Sequence, residues 1–260
     1  MEEIAKSIYR LTTTYKDIYT TVFVIKTPAG SLLFDTASYR EDVENTILPA
    51  LEELGIRGED LRYIVLSHTH GDHAGGLQWV AEAFPGARIL SRDPALKGSR
   101  GDAVRCPEDG EVLLDTLRIV AVPGHSADSL CLLDTATKTL ISGDSLQLYG
   151  IYGSGSWGAN VGLPAEHLRA LEKLRKLEIR RIAASHDYHP CGHMAEGEEA
   201  VRAYLDACRE ALYKILDYIR SCPETDSEAL AAGYNERSGL PTVAPRIFSA
   251  VRIAAEAGEM

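Results

Sequence analysis

The sequence has few of the features that mark secreted, membrane-bound or disulfide-rich proteins. Its five cysteines among 260 residues are odd in number and are nowhere spaced as Cys-x-x-Cys, which argues against a disulfide framework and favours a reducing compartment. No apolar run approaches the length of a membrane span. Residues 1–6 lack the basic and apolar regions of a signal peptide. We therefore expect a cytoplasmic protein with no membrane partner.

Basic residues are also scarce. The chain carries 27 Lys and Arg against 38 Asp and Glu, for a formal net charge of −11. Nucleic-acid binding normally depends on a basic surface that releases counterions, so we expect no nucleic-acid partner, although a local basic groove stays compatible with this charge. Hydrophobic residues make up 45% of the chain, which is enough for one substantial core.

The most informative stretch that the sequence does contain is His68-Thr69-His70-Gly71-Asp72-His73. Three imidazoles and a carboxylate within six positions follow an apolar run at 63–67, so they are predicted to lie on a tight turn after a buried strand. Neutral imidazole and carboxylate ligands suit zinc, iron or manganese. The alternative, a solvated loop that happens to contain histidines, does not explain so dense a cluster.

Further residues of the same kinds follow other apolar, strand-like runs. They are Asp35, His125, Asp144 and His186. A sheet that gathers these run ends on one edge would place them beside the His68 turn. Taken singly, His125 is as readily a turn residue and Asp144 a cap. The last position stays open, because His189 and His193 compete with His186.

Helical periodicity predicts several amphipathic helices. They are expected at 41–54, with a kink at Pro49, and at 77–84, 164–177 and 196–219, with a further helical segment at 222–260. Residues 91–110 are predicted to be a loop. A final strand is predicted at 180–185, with His186 directly after it. The succession of strand, ligand turn and helix indicates an α/β layer arrangement.

The His68-x-His70-x-Asp72-His73 pattern resembles the His-x-His-x-Asp-His motif of the metallo-β-lactamase superfamily. The resemblance extends from about Asp35 to His186. It implies an α/β (α+β) fold, specifically a four-layer αββα sandwich with a C-terminal helical extension. Residues 1–194 would form the metallo-β-lactamase domain, and residues 195–260 the extension packed on it.

The same resemblance implies a metal site with two ions. His68, His70 and His125 would bind one ion, and Asp72, His73 and His186 the other, with Asp144 as the bridge. Zinc is the expected metal, although iron or manganese suits these ligands. Two ions roughly 3.5 to 4 Å apart would turn a shared water into a bridging hydroxide nucleophile.

Other residues receive supporting roles. Asp72 and Asp144 are the predicted catalytic carboxylates. Besides binding a metal, Asp72 would orient the attacking water. Asp35 is expected either to accept a hydrogen bond from a ligand imidazole or to tie down its loop. His167, on the helix predicted at 164–177, is expected on the surface.

A glycine-rich stretch at 146–160 is predicted to contact substrate. Tyr149, Tyr152 and Trp157 would supply flat apolar surface there, and Tyr188 would donate a proton to the leaving group or oxyanion. The alternative is an aromatic cluster that packs on the C-terminal helices.

The function implied by the resemblance is hydrolysis of a small ester, thioester or lactone. The ligand set is closest to that of the hydroxyacylglutathione hydrolase and lactonase-like branches. One alternative is a phosphodiesterase or nuclease of the same superfamily, and another is a metal-holding sensor or partner module without turnover. A homodimer formed through the C-terminal helices stays open.

Overall fold

The computed structural model describes residues 1–15, 18–96, 104–152, 155–189, 191–239 and 242–260, and of the strand residues 18, 149–152, 155–157 and 189 it describes the backbone alone. Within these ranges the strands form two sheets. No helix among them combines the length and the apolar character that crossing a membrane requires.

The first sheet combines antiparallel hairpins with a parallel half. Its strands, in spatial order, are β1 (Glu2–Ala5), β2 (Ile8–Tyr15), β3 (Ile18–Thr27), β4 (Gly30–Phe34), β5 (Leu61–Val65), β6 (Arg88–Leu90) and β7 (Val104–Arg105). Pairing is antiparallel from β1 to β4 and parallel from β4 to β7. The parallel half places the carboxyl ends of β4 and β5 side by side, so Asp35 and the His68 turn leave the sheet at one edge.

The second sheet is mostly antiparallel. Its strands are β8 (Val112–Leu113), β9 (Leu117–Ala121), β10 (Leu130–Asp134), β11 (Thr139–Ile141), β12 (Tyr149–Tyr152), β13 (Gly155–Trp157), β14 (Arg181–His189) and β15 (Gly192–Glu196). Their spatial order is β13-β12-β14-β11-β10-β9-β8, and β15 also pairs with β14. Strands β11 and β14 run parallel, which brings the segments carrying Asp144 and His186 to the same end.

The core lies between the two sheets, as alternation along the strands requires. In β3, Phe23 and Ile25 join the cluster between the sheets, together with Leu132 and Ile141 from the second sheet. Val22 points to the opposite face of the first sheet and packs against a helical layer.

Helices cover both outer faces. The first sheet is covered by the helical segment of residues 40–53 and by α4 (Leu77–Ala83). The second is covered by α5 (Pro164–Leu174) and α6 (Glu198–Ser221). The predicted four-layer αββα sandwich is therefore confirmed.

The predicted kink at Pro49 takes the form of a widened helical turn. The segment begins as α1 (Arg40–Asp42), passes through a π-helical turn (Val43–Ile47) and continues as α2 (Leu48–Glu53). Proline has no N–H and its ring clashes with the carbonyl one turn before it, so the ladder is interrupted there.

Several predicted boundaries were wrong. The expected loop at 91–110 contains β7, which pairs with β6, and residues 97–103 of it lie outside the described ranges. His186 lies inside β14 and not after it, because β12 and β15 extend the pairing to Tyr188 and beyond. The register with β15 shifts between Ala183 and Tyr188, so His186 occupies an irregular part of the strand.

The C-terminal residues form two helices after α6. These are α7 (Ser227–Ser238) and α8 (Pro245–Glu256). They share an apolar cluster with α6 and Val161, to which Leu216, Tyr234 and Phe248 contribute. The division of the chain at residue 194 stays a prediction.

Candidate metal centre

The turn that follows β5 leads into the short helix α3 (Gly71–Ala74) and packs directly on another segment of backbone. A Cβ at Gly75 would lie 2.2 Å from the carbonyl oxygen of Ser38, and one at Gly76 would lie 2.0 Å from that of Thr36. Both glycines have ordinary helical φ angles of −61° and −78°. They therefore permit this close approach and are not needed to bend the chain.

The first of two ligand groups, called here the histidine group, consists of His68, His70 and His125. Nδ1 of His70 lies 2.9 Å from Nε2 of His68 and 2.9 Å from Nε2 of His125. The inward nitrogens all lie within 4.8 Å of one another. Lone pairs that converge in this way repel one another unless a proton or a cation lies between them, so the arrangement suits a metal ion.

The second group, called here the mixed group, consists of Asp72, His73 and His186. Oδ2 of Asp72 lies 3.5 Å from Nε2 of His73 and 3.4 Å from Nε2 of His186. The ligand atoms of this group also lie within 4.8 Å of one another. It combines two imidazoles with a formal negative charge.

Asp144 lies between the two groups, and each of its oxygens faces a different one. Oδ2 is 3.7 Å from Nε2 of His125, whereas Oδ1 is 3.4 Å from Nε2 of His73 and 3.2 Å from Nε2 of His186. The turn before it needs a glycine, because Gly143 has φ +52° and a Cβ there would lie 2.5 Å from the Cβ of Ser67.

Two buried atoms at this centre make no hydrogen bond to any residue that the structure describes. They are Nε2 of His73 and Oδ1 of Asp144. A buried polar atom without a partner costs free energy. Coordination of a divalent cation would satisfy both atoms, so the residues present fit a metal.

The two groups differ in the state of their imidazoles. Burial and neighbouring imidazoles hold the pKa of His68 and of His125 below the usual value, despite the opposing effect of Asp144. Burial also opposes charge on His186, but the carboxylates of Asp144 and Asp72 together outweigh it and raise the pKa of His186 to about 9. In the same way, Asp144, Asp72 and Asp35 together raise the pKa of His73.

Outer hydrogen bonds direct the imidazoles inward. Nδ1 of His125 donates to the carbonyl oxygen of Asn160 and Nδ1 of His186 to that of Tyr19, each at 2.7 Å. Because a carbonyl oxygen can only accept, Nδ1 carries the proton in both rings. In the neutral rings Nε2 therefore presents its lone pair to the centre.

Asp35 fills both roles predicted for it. Its Oδ2 accepts from Nδ1 of His73 at 2.8 Å, and its Oδ1 accepts from the backbone N–H of Ser67 at 2.7 Å. The Ser67 hydroxyl donates to Oδ2 at 2.8 Å and lies 3.0 Å from Nδ1 of His68. One carboxylate thus orients a ring of the mixed group directly and a ring of the histidine group through Ser67.

A cavity of about 320 Å³ opens over both groups and Asp144. Its wall includes Gln147 and Asn160 from the segment after Asp144, and Arg246 and Ile247 from α8. Gln147 donates through Nε2 to the carbonyl oxygen of Asp144 and to the Tyr188 hydroxyl, at 2.9 and 3.0 Å. The C-terminal helix α8 therefore forms part of the cavity wall.

A family model described as the metallo-beta-lactamase superfamily matches residues 15–186, which include both ligand groups and Asp144. The chain belongs to the metallo-β-lactamase superfamily. The match confirms the family that the motif at residues 68–73 indicated.

Among curated metallo-β-lactamase relatives, a hydroxyacylglutathione hydrolase from Stenotrophomonas maltophilia is 28% identical over 204 residues, covering 76% of this chain and 68% of the relative. Bacillus subtilis YobT is 33% identical over 126 residues, covering 40% of this chain and 53% of YobT. An atrochrysone carboxyl ACP thioesterase from Emericella nidulans is 26% identical, with coverages of 65% and 51%. The chain spans about half the length of most curated relatives it matches.

Solved structures show the same fold. A metallo-β-lactamase family protein from Thermus thermophilus superimposes with a TM-score of 0.66 at 19% identity, covering 98% of this chain and 95% of the other. A flavodiiron protein from Giardia intestinalis gives a TM-score of 0.63 at 18% identity, with coverages of 81% and 59%. At these identities the likeness concerns the metallo-β-lactamase fold alone.

The structure brings together all the side chains predicted as metal ligands. They are His68, His70, Asp72, His73, His125, Asp144 and His186. Of the competing histidines, His193 lies on β15 and belongs to neither group, and the side chain of His189 lies outside what the structure describes. The assignment of these residues as ligands stays a prediction.

The predicted surface position of His167 is wrong. This side chain is 1% exposed and packs beneath the turn before His125, where a Cβ at Gly124 would lie 2.8 Å from its Nδ1. Burial lowers the pKa of His167 to about 4. Helical periodicity predicts which face of α5 is apolar, but it does not predict whether a single histidine at the border of that face is buried.

The predicted substrate contacts are only partly described. The backbones of Tyr149, Tyr152 and Trp157 belong to β12 and β13, and their side chains lie outside the described part of the structure. Tyr188 is fully buried and bonds Gln147.

Sequence reasoning did not single out Gln147, Asn160 or Arg246. The first two lie in the stretch predicted to contact substrate, but the aromatic residues there drew the prediction. Arg246 follows Pro245 at the start of a helix, and no local pattern indicates that this helix reaches the metal centre.

Proposed function

We propose that this protein is a metal-dependent hydrolase that holds two divalent ions and cleaves a small ester, thioester or lactone. Family membership supports metal-dependent hydrolysis. The observation that carries two ions is the position of Asp144, whose two oxygens face different ligand groups. Zinc is the first expectation for this ligand set, and iron or manganese also suits it.

The residues of this chain supply two functions, and the ions that they would bind supply a third. The outer hydrogen bonds hold the imidazoles of His125 and His186, one from each group, in the tautomer that presents Nε2 inward. The carboxylate of Asp72, at the edge of the cavity, is placed to orient an attacking water. Bound divalent ions supply a water of lowered pKa and polarise the substrate oxygen.

An acyl substrate is supported by the relatives and by the cavity. Two relatives are named a hydroxyacylglutathione hydrolase and an acyl-carrier-protein thioesterase. A cavity of about 320 Å³ is at the low end of the range for small-molecule sites. We therefore expect a small substrate. The net charge of −11 and the scattered cysteines also lead us to propose no nucleic-acid partner and a cytoplasmic location.

Metal content tests the two-ion proposal. We expect close to two equivalents of bound metal in the purified protein and about one in Asp144→Asn, measured by elemental analysis. The matched control is Asp115→Asn, on an exposed turn with φ +69° that asparagine tolerates. One equivalent in all three proteins would contradict the bridge.

Turnover is tested separately on a panel of an ester, a thioester, a lactone and a phosphodiester, with and without a chelator. We expect chelator-sensitive cleavage of at least one acyl substrate. Preferential cleavage of the phosphodiester would favour the nuclease alternative. Full metal loading with no cleavage would favour a metal-holding sensor.

Oligomeric state needs its own measurement. A homodimer through the C-terminal helices is the alternative to a monomer, and light scattering at several concentrations distinguishes them.

A further inference from the structure

Arg246 introduces a cation into a cavity whose other formal charges belong to the candidate metal centre. Among the described residues that line the cavity, it is the only lysine or arginine. Its Nη2 donates to Oδ1 of Asn160 at 2.5 Å. Across the described ranges no carboxylate forms an ion pair with it, although the chain has 38 acidic residues.

Asn160 gives this guanidinium a rigid support. Its carbonyl oxygen accepts from His125, and its N–H donates to Oε1 of Gln147 at 3.0 Å. Gln147 is itself 1% exposed. Asn160 is therefore held through its backbone on both sides, while its side chain orients Arg246 and leaves the other N–H donors of the guanidinium available.

Part of the cavity wall is apolar, although Thr242 adds a hydroxyl to it. Ala244 and Ile247 on the same segment line the cavity, together with Ala159. These side chains offer no hydrogen bonds, so they suit contact with a short aliphatic chain in the same cavity as the metal centre and the guanidinium.

We propose that Arg246 binds a carboxylate of the substrate, so that the enzyme acts on small acyl compounds carrying an acid group on a short aliphatic chain. This inference rests on the hydrolase function proposed above. A planar carboxylate matches the fork of one guanidinium. A phosphate would call for more positive charge than this single side chain supplies within the described lining.

Ligand binding tests the proposal without turnover. The probes are glutarate and butyrate, which both offer one carboxylate to the metals, whereas only glutarate offers a second at the other end. Calorimetry on the zinc-loaded protein should show glutarate binding about 10- to 100-fold more tightly, the range expected for a charge-assisted hydrogen bond. In Arg246→Met this preference should fall below about threefold, and Arg246→Lys should retain part of it.

The matched control is Arg252→Met. Arg252 is a half-buried arginine of the same helix, and among the described residues it bonds only the carbonyl oxygen of Thr225. The variant should keep the full preference for glutarate. Equal binding of the two acids by the unsubstituted protein, or a preference that survives Arg246→Met, would overturn the proposal.

Kinetics separates this inference from the hydrolase proposal. The substrates are 4-nitrophenyl butyrate and the mono-4-nitrophenyl ester of glutaric acid. Arg246→Met should lower kcat/KM about 10- to 100-fold for the acidic ester only. If neither ester is cleaved but the glutarate preference depends on Arg246, the hydrolase proposal fails and the carboxylate site stands. If both are cleaved equally well with or without Arg246, the carboxylate site fails alone.

Discussion

The histidine group and the mixed group of the candidate metal centre are close neighbours with different electrostatics. The histidine group has three imidazoles, and His70 is exposed. The mixed group adds the carboxylate of Asp72, and its His73 is backed by the fully buried Asp35. Negative charge is therefore concentrated on one side of Asp144.

This difference implies two unequal metal positions. Carboxylates attract a divalent ion by charge as well as by coordination, so the mixed group should bind its ion more firmly when its imidazoles are neutral. In the metal-free protein the same charge favours protons on His73 and His186. Protons and metal therefore compete mainly at the mixed group.

Removal of the Asp72 carboxylate should have the largest effect. We expect Asp72→Asn to retain about one metal equivalent and to lose more activity than the roughly 10- to 100-fold that loss of an outer-shell partner costs. Elemental analysis and kcat on the best panel substrate measure this. If Asp72→Asn still held two ions tightly, the Asp72 carboxylate would not be what makes the mixed group the firmer metal position.

Asp35→Asn tests the outer carboxylate on which the comparison depends. Asp35 has φ +66°, a conformation that asparagine adopts readily, so the substitution changes charge and hydrogen bonding with little backbone strain. We expect metal affinity at the mixed group to fall about 10- to 100-fold. Titration against a chelator of known affinity measures it, and an equal loss at the histidine group would show that Asp35 supports both groups alike.

The pH dependence of metal binding should also distinguish the two groups. Ligand nitrogens must be deprotonated, and His186 has a pKa of about 9 in the metal-free protein. Affinity at the mixed group should therefore fall as pH is lowered from 9 to 7, by up to about tenfold per unit for each proton displaced. Affinity at the histidine group should stay nearly constant over this interval, because the pKa values of His68 and His125 lie below their usual value. Parallel pH profiles would contradict the assignment.

Ser67→Ala should have the smallest effect and should act on both groups. The hydroxyl contacts Asp35 and His68, but the buried carboxylate keeps its bonds to His73 and to the Ser67 backbone. We expect less than about a tenfold loss of affinity at each group. A larger loss than in Asp35→Asn would make the hydroxyl, and not the carboxylate, the main support.

The parts of the site that could be predicted from sequence are those encoded over short distances. His68, His70, Asp72 and His73 occupy one turn, so their proximity follows from covalent connection. His125, Asp144 and His186 were predicted because apolar runs precede them, and the sheets do bring the three together. The predicted end of the strand before His186 was nevertheless wrong, because the length of that strand depends on pairing with β12 and β15.

Other features depended on partners far away in the chain. Burial of His167 depends on how α5 packs beneath the turn at Gly124, and periodicity does not report that contact. Arg246 reaches the cavity because α8 packs with α6 and α7 beside Val161. Nothing within the helix itself indicates which surface it will cover.

The sequence by itself determined the kinds of metal ligand, the turn that carries four of them and the layered architecture, because ligand chemistry and hydrophobic periodicity are local properties. Only the tertiary structure decided that Asp144 stands between two groups, that Asp35 contacts one of them directly and the other through Ser67, and that Arg246 lines the cavity. These are relations between side chains on separate elements, and the packing of sheets and helices sets their distances.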